Sequence, residues 1–174
     1  LLRNAYHCSM SDTPPRPRHF SMIRDFHLAD FLTLANGGSG TAAIFFCLDH
    51  VREAGVGKLY AAALAVLCAL FFDVMDGRVA RWRHRASPMG RELDSLADVI
   101  SFGVAPACMA FACGMTGLVD AAVLLYFVCC GISRLARYNV TAEALAADTG
   151  KVTYFEGTPI PTSVLLVGML AALA

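Results

Sequence analysis

The sequence predicts an all-α protein, a polytopic bundle of transmembrane helices. The chain of 174 residues is 57% apolar and only 16% charged, with a mean hydropathy of +0.56. Soluble domains are ~45–50% apolar and ~25% charged, so this chain has too little polar surface to cover a globule in water. Its apolar residues form long uncharged runs separated by charged segments, at 32–48, 59–72, 99–119, 121–133 and 157–174. This pattern is typical of about five short membrane spans.

The two ends of the chain differ in character. Residues 1–21 are rich in Ser, Pro, Arg and His without an apolar period, which predicts a disordered extension. Residues 22–31 place Ile23 and Phe26 on one side and charges on the other, which predicts a short interfacial helix before the first span. Residues 157–174 are apolar to the last position, so we expect the native protein to continue with at least one more span. The expected membrane domain covers residues 22–174.

The basic residues predict the orientation of the helices. With a cytoplasmic N-terminus, twelve of the 14 Lys and Arg residues fall in cytoplasmic segments, and only Arg52 and Lys58 fall outside. The positive-inside rule favours this topology. Because 14 acidic residues balance the 14 basic ones, the chain has no net field that would attract nucleic acid.

Two acidic residues end the second apolar run at membrane depth. Residues 59–72 provide 14 uncharged positions, about 21 Å of helix, whereas the hydrocarbon core needs about 30 Å. The helix must therefore carry Asp73 and Asp76 at or near the membrane. A carboxylate there costs several kcal/mol unless it is paired or coordinates a cation, so such residues mark a functional site.

Helical spacing gathers these acids and small residues on two facing stripes. The stripes contain Asp73, Asp76, Gly77, Ala80 and Arg81 on the second helix, and Gly90, Asp94 and Asp98 on the next. Four carboxylates held together repel one another, and their oxygens suit hard cations such as Mg²⁺, Mn²⁺ or Ca²⁺. Two such ions suit phosphoryl chemistry, and the small residues leave room for a bulky ligand.

A purely structural interpretation remains open for the same residues. The aspartates would then cap helix ends and pair with the arginines around them, Arg78, Arg83, Arg85 and Arg91. Four acids on facing stripes beside small residues favour the metal site. Six of the seven cysteines lie inside apolar runs without Cys-x-x-Cys spacing, which is typical of small hydrophobic side chains.

The two stripes carry a resemblance to a known family. They match the pattern D-x2-D-G-x2-A-R-x8-G-x3-D-x3-D of the CDP-alcohol phosphotransferases at every specified position, and the resemblance covers roughly residues 22–174. It implies that Asp73, Asp76, Asp94 and Asp98 bind two divalent cations, Mg²⁺ or Mn²⁺. It also implies that Asp98 is the base which deprotonates the acceptor alcohol. The remaining motif positions would bind the CDP group: Gly77, Ala80, Arg81 and Gly90.

Flanking segments resemble the phosphatidylserine synthase branch of that family. They are residues 33–36, 101–107, 134–139 and 157–163. Val99 also stands where the branch that makes phosphatidylglycerol phosphate typically has a lysine. The resemblance implies transfer of the phosphatidyl group from CDP-diacylglycerol to L-serine, giving phosphatidylserine and CMP. The topology predicted from the basic residues places this site on the cytoplasmic side.

Three further residues are candidates to bind serine or a substrate phosphate. Arg134 and Arg137 follow an uncharged run of only 13 residues, so they lie near the inner membrane boundary, where guanidinium groups fit a carboxylate or phosphate. Anchoring by positive charge is their alternative role. Asn36, inside an apolar run, either hydrogen-bonds between helices or contacts a ligand.

Two other functions stay open. One is the same chemistry with another acceptor, such as glycerol 3-phosphate or an inositol phosphate, or with an archaeal ether-lipid donor. The other is a divalent-cation transport or sensing site without chemistry, although a carrier needs an outlet across the bilayer and these acids crowd one side. The expected partners are CDP-diacylglycerol, L-serine and membrane lipid, with a second copy of the chain as a candidate for a homodimer.

Overall fold

The computed structural model describes residues 28–53, 55–83, 88–148 and 160–173. These residues contain helices and no strand, which confirms the all-α prediction. In chain order they form α1 (Leu28–Glu53), α2 (Val56–Arg83), α3 (Pro88–Asp98), a π-helical segment (Val99–Val104), α4 (Ala105–Ala112), α5 (Leu118–Asp148), a 3₁₀ turn (Ile160–Thr162) and α6 (Ser163–Leu173). The predicted extension 1–21 and residues 22–27 of the predicted interfacial helix lie outside the described residues. Residues 28–31 belong to the start of α1.

Four segments in the described part of the chain are long and apolar enough to cross a membrane. They are Asp30–Glu53, Val56–Val79, Met89–Ala112 and Leu118–Thr141, each 24 residues long. At 1.5 Å per residue, each reaches about 36 Å, more than the hydrocarbon core requires. The last predicted run contains a shorter apolar helix, Ser163–Ala172. The polytopic bundle is thus confirmed, with four full-length spans and one shorter apolar helix among the described residues.

Helices α1 and α2 form a tightly connected hairpin whose contact surface is built from small side chains. Ala43 of α1 and Ala62 and Ala69 of α2 are at most 1% exposed. Lipid tails are as apolar as leucine, so helices in a membrane gain from close packing of small residues rather than from escape from water. Phe102 and Met109, from the third span, complete this core. The hairpin therefore forms a close-packed base for the helices that follow.

The third span changes its helical geometry directly after Asp98. Residues Val99–Val104 form a π-helix, and the N–H of Ala105 donates to the carbonyl of Ile100, five residues earlier. Pro106, at the start of α4, lacks an N–H and its ring clashes with the carbonyl four residues before it in a regular α-helix. A wider turn relieves that clash, and such turns are frequent at functional sites.

Helix α4 ends in a Schellman turn that sends the chain back as α5. Gly114 has a φ of +111°, which glycine adopts at low cost. The N–H of Met115 donates to the carbonyl of Ala110 at 3.2 Å, and the N–H of Gly114 donates to that of Phe111 at 3.1 Å. Asp120 then accepts a bond from the N–H of Gly117 and closes the first turn of α5. Helix α5 packs against the π-helical segment and α4, yet none of its most apolar window is buried.

Candidate metal and active site

Three carboxylates from two helices meet at one place. One carboxylate oxygen from each of Asp73, Asp76 and Asp94 can be chosen so that all three lie within 4.8 Å of one another. Asp73 and Asp76 are three residues apart on α2, and Asp94 comes from α3, which begins at Pro88 after a short connection. Proline is favoured at the first position of a helix, and Pro88 occupies that position in α3. Asp94 follows six residues later, about 1.7 turns along the helix. The predicted convergence of these three acids is observed.

The fourth aspartate lies beside this group. Asp98 is 8% exposed and is the last residue of α3, next to the π-helical segment. Its carboxylate interacts electrostatically with those of Asp73, Asp94 and Asp76. It accepts a hydrogen bond from Nδ2 of Asn36 at 3.2 Å. Asp98 is thus close enough to share the field of the three carboxylates, while its own hydrogen bond comes from α1.

Helix α1 supplies a second hydrogen bond to the acidic site. The hydroxyl of Thr33 donates to Oδ2 of Asp76 at 2.9 Å. Thr33 is 3% exposed and Asn36 is fully buried, so both donors are sealed between helices. Of the two roles that the sequence left open for Asn36, the structure shows the interhelical hydrogen bond. Thr33 was not among the predicted site residues, although it is a second polar residue three positions from Asn36 in an apolar helix.

Close packing of backbones brings α1 to the π-helical segment. A Cβ atom added to Gly40 would lie 2.7 Å from Cα of Ser101, closer than real Cβ atoms approach, so only glycine fits there. The Ser101 hydroxyl donates to the backbone carbonyl of Asn36 at 3.0 Å. One turn earlier, a Cβ atom added to Gly37 would lie 3.5 Å from the Cβ atom of Ala97, which is an ordinary van der Waals contact. This packing fixes the height of Asn36 relative to Asp98.

The ion pairs shown among the described residues are those of Lys58, and they involve none of the four carboxylates. The Arg78 side chain is exposed, and the side chains of Arg81, Arg83 and Arg85 lie outside the described residues. In addition, Oδ1 of Asp94 is buried and receives no hydrogen bond from described residues. A buried acceptor without a donor, beside two other carboxylates, fits a bound cation with oxygen ligands.

The residues predicted to bind CDP lie around this acidic site along the chain. Gly77 is half-buried on α2, one residue after Asp76, and Gly90 is half-buried in the first turn of α3. Ala80 and Arg81 continue α2 by one further turn, and their side chains lie outside the described residues. Their role stays a prediction.

The predicted serine or phosphate ligands on α5 differ in exposure. Arg134 is half-buried, whereas Arg137 is exposed. Asn139 was not among the predicted site residues. Its side-chain amide donates a hydrogen bond to the hydroxyl of Ser95 on α3 at 2.8 Å. The Ser95 hydroxyl in turn donates to the carbonyl of Arg91 at 3.1 Å. A polar contact therefore joins α5 to the helix that carries Asp94.

Together, the fold and the site define a class of protein, a bundle of membrane-spanning helices with a cluster of carboxylates between them that suits a hard cation. Comparison with known proteins gives the family. The family model described as CDP-alcohol phosphatidyltransferase matches residues 26–174. The chain belongs to the CDP-alcohol phosphatidyltransferase family, a family of enzymes that use divalent metals.

Three curated relatives illustrate the similarity. The chain is 50% identical over 151 residues to the CDP-diacylglycerol–serine O-phosphatidyltransferase of Saccharomyces cerevisiae, covering 86% of this chain and 55% of that protein. It is 36% identical over 159 residues to the enzyme of the same name from Mycobacterium leprae, covering 90% and 50%. It is 37% identical over 143 residues to the archaetidylserine synthase of Methanothermobacter thermautotrophicus, covering 80% and 55%. The chain thus spans about half the length of these curated relatives.

Proposed function

We propose that this protein transfers the phosphatidyl group of CDP-diacylglycerol to L-serine, giving phosphatidylserine and CMP. The observation that carries the proposal is the meeting of Asp73, Asp76 and Asp94 within 4.8 Å, in a chain that belongs to this family. A site for hard cations between membrane helices suits a lipid whose activated phosphate must be handled at the membrane surface. The diacyl tails would then extend into the bilayer between helices.

The relatives support serine as the acceptor. The names of the yeast and mycobacterial enzymes specify serine and CDP-diacylglycerol, and the archaeal relative is named for an archaetidyl lipid and serine. The lipid group therefore differs among the three names, whereas serine is part of each of them. At 50% identity, the yeast enzyme favours the diacyl donor for this chain.

We assign the reaction's proton transfer to Asp98. Its carboxylate takes the proton from the serine hydroxyl as the oxygen forms a bond to the lipid-side phosphorus. The bond from that phosphorus to the bridging oxygen breaks, and CMP leaves with the bridging oxygen. Burial of Asp98 and its hydrogen bond from Asn36 support this role, because a base must be held in a fixed position to be effective.

The metal ligands in this proposal are Asp73, Asp76, Asp94 and Asp98, and the ions are two Mg²⁺ or Mn²⁺. Divalent cations at these carboxylates would supply positive charge to the pyrophosphate oxygens of the donor. The pair Asp73 and Asp76 presents two carboxylates from one helix turn, and Asp94 presents a buried oxygen that has no other described partner. Carboxylate oxygens suit both of these ions.

The substrate contacts follow from positions next to the carboxylates. Gly77, Ala80, Arg81 and Gly90 would bind CDP, because small residues at the first and last of these positions let the nucleotide approach the helix backbone. Arg134 and Arg137 would bind the serine carboxylate or a phosphate. Half-burial of Arg134 favours it over the exposed Arg137 for this contact. The positive-inside rule supports a cytoplasmic site, and a homodimer stays a prediction.

One assay tests the proposal. Purified protein in lipid nanodiscs would receive CDP-diacylglycerol with serine, myo-inositol or glycerol 3-phosphate in turn, and CMP release would be measured with Mg²⁺, Mn²⁺ or EDTA. We expect CMP release and labelled lipid only with serine, and none with EDTA. Labelled lipid from another acceptor would overturn the serine assignment. Uptake of Mg²⁺ into protein-containing liposomes without any CMP release would favour a transport site instead.

A further inference from the structure

Helix α1 contributes no acid to the proposed metal set, yet it donates a hydrogen bond to each of two aspartates on different helices. The Thr33 hydroxyl reaches Asp76 of α2 at 2.9 Å, and the Asn36 amide reaches Asp98 of α3 at 3.2 Å. Residues three apart lie on one face of a helix, so a single face of α1 spans both sides of the acidic site.

Both donors are sealed away from solvent. Thr33 is 3% exposed and Asn36 is 0% exposed, which leaves no surface on Asn36 for a substrate to contact. Each therefore acts on the site through the carboxylate that it holds. Hydrogen bonds from such outer residues fix the orientation of metal-binding and catalytic side chains.

The environment of Asn36 indicates that its orientation is imposed by Asp98. The Oδ1 atom of Asn36 is buried and has no hydrogen-bond partner among the described residues. A carboxylate only accepts hydrogen bonds, so the amide must present its NH₂ group and leave its oxygen unsatisfied. Unsatisfied buried acceptors are rare and costly, and are concentrated where function requires a particular arrangement.

The backbone around Asn36 is held as firmly as its side chain. Ser101 donates a hydrogen bond to the Asn36 carbonyl, and Gly40 allows the two segments to approach one turn further along. The π-helical segment that contains Ser101 begins directly after Asp98. The donor and the acceptor of the Asn36–Asp98 bond therefore sit on backbones that are locked to each other.

We propose that Thr33 and Asn36 are positioning residues with separate tasks: Thr33 orients Asp76 for cation binding, and Asn36 orients Asp98 for proton transfer. This proposal rests on the function proposed above and adds a division of labour on a helix outside the motif. It predicts that loss of each donor affects a different measured quantity.

The Thr33 task is tested by cation binding without substrate. Mn²⁺ binding to the purified protein in nanodiscs would be measured by electron paramagnetic resonance for the wild type, Thr33→Val, Thr33→Ser and Ser39→Ala. Valine has the shape of threonine without the hydroxyl, so we expect about tenfold or greater weakening of Mn²⁺ binding, with recovery in Thr33→Ser. Ser39 is the matched control, because the one hydrogen bond that its hydroxyl forms with a described residue is to the Ala35 carbonyl of its own helix. Unchanged Mn²⁺ affinity in Thr33→Val would overturn this half of the proposal.

The Asn36 task is tested by separating turnover from binding. For Asn36→Leu and Asn36→Ser, assayed at saturating Mn²⁺, we expect the KM for serine to stay within twofold of the wild type, while kcat falls about tenfold or more. The serine variant avoids overpacking if leucine does not fit the sealed position. An unchanged kcat at saturating Mn²⁺, a raised KM with normal kcat, or failure of both variants to fold would each overturn the assignment.

The outcomes distinguish this inference from the proposed function. If the wild type releases no CMP with serine, the proposed function fails and the Asn36 task fails with it, whereas the Thr33 result on Mn²⁺ binding stands by itself. If the wild type is active and both donors are dispensable, the function stands and the inference fails.

Discussion

The acidic residues at the two ends of the α1–α2 hairpin differ in burial and in the groups that they contact. At the connecting end, Nζ of Lys58 lies 3.4 Å from Oδ2 of Asp49 and 3.6 Å from Oε2 of Glu53. All three side chains are between 38% and 70% exposed. At the other end, Asp76 and Asp98 are 5% and 8% exposed, and their described hydrogen bonds come from a hydroxyl and an amide. Among the described residues, one end thus pairs exposed acids with a lysine, while at the other end two buried acids accept hydrogen bonds from neutral donors.

We interpret this difference as a division between acids that contribute to the fold and acids that bind a ligand. Exposed ion pairs contribute little to stability, and Asp49 and Glu53 are solvated acids that share one lysine, Lys58. Buried carboxylates without a cation destabilise the protein, so their retention requires another benefit. A bound divalent cation would supply that benefit.

Removing the proposed base has the largest expected effect. In Asp98→Asn we expect kcat to fall by about 10²–10⁴, the range that a general base contributes, with CDP-diacylglycerol binding largely retained. CMP release and a nucleotide-lipid binding assay measure the two quantities. The matched control is Asp49→Asn at the connecting end, which should keep wild-type turnover. Comparable losses in both variants would break the contrast between the two ends.

A methyl group at the contact of α1 with the π-helical segment has the next largest effect. Gly40→Ala forces a Cβ atom against the Ser101 backbone, and overpacking of this kind costs about 1–3 kcal/mol. We expect a lower Tm and reduced turnover, because the shift displaces Asn36 from Asp98. Gly38→Ala is the control, since a Cβ atom there would meet nothing within 4 Å. Equal behaviour of the two variants would show that this close packing does not position the site.

Charge removal at the acidic end should stabilise the metal-free protein. Two charges 4.8 Å apart, the outer limit for Asp73, Asp76 and Asp94, repel by about 3 kcal/mol at an effective dielectric constant of about 20. In EDTA we therefore expect Asp94→Asn to unfold at a higher temperature than the wild type. With Mn²⁺ the order should reverse, because the variant lacks a ligand. A lower Tm of Asp94→Asn in EDTA would show that the repulsion is already compensated.

The smallest effect is expected at the connecting end. Lys58→Ala removes the cation shared by Asp49 and Glu53, yet these groups are exposed and keep their solvation. We expect unchanged CMP release and a smaller change of Tm than in Gly40→Ala. A loss of activity in Lys58→Ala would show that the two ends of the hairpin are coupled.

The sequence predicted the acids better than it predicted the structure around them. Fixed spacings of three and four residues placed Asp73, Asp76 and Asp94 on facing stripes, because helical periodicity alone determines which side chains share a face. The resemblance to a family with this motif gave the same residues. The fold class followed from composition and the uncharged runs, and the five predicted spans correspond to four long helices and one shorter apolar helix among the described residues.

Features that depend on contacts between helices were not predictable from one chain. The hydrogen bond from Thr33 to Asp76 joins residues 43 positions apart, and nothing local to Thr33 indicates its partner. The one sequence signal for the π-helical segment was Pro106. A proline inside a span predicts that the helix is interrupted or bent, but it does not predict a π-helix in particular. Asn36 was predicted as a polar residue of interest, whereas its contact with Asp98 required the geometry.

Shared binding of divalent cations by α2 and α3 can be measured as the stoichiometry of Mn²⁺ bound to the purified protein in nanodiscs, by electron paramagnetic resonance. We expect two bound ions per chain with a spectrum broadened by their mutual proximity, and loss of that broadening in both Asp76→Asn and Asp94→Asn. Absence of bound Mn²⁺, or a spectrum that neither substitution changes, would contradict it.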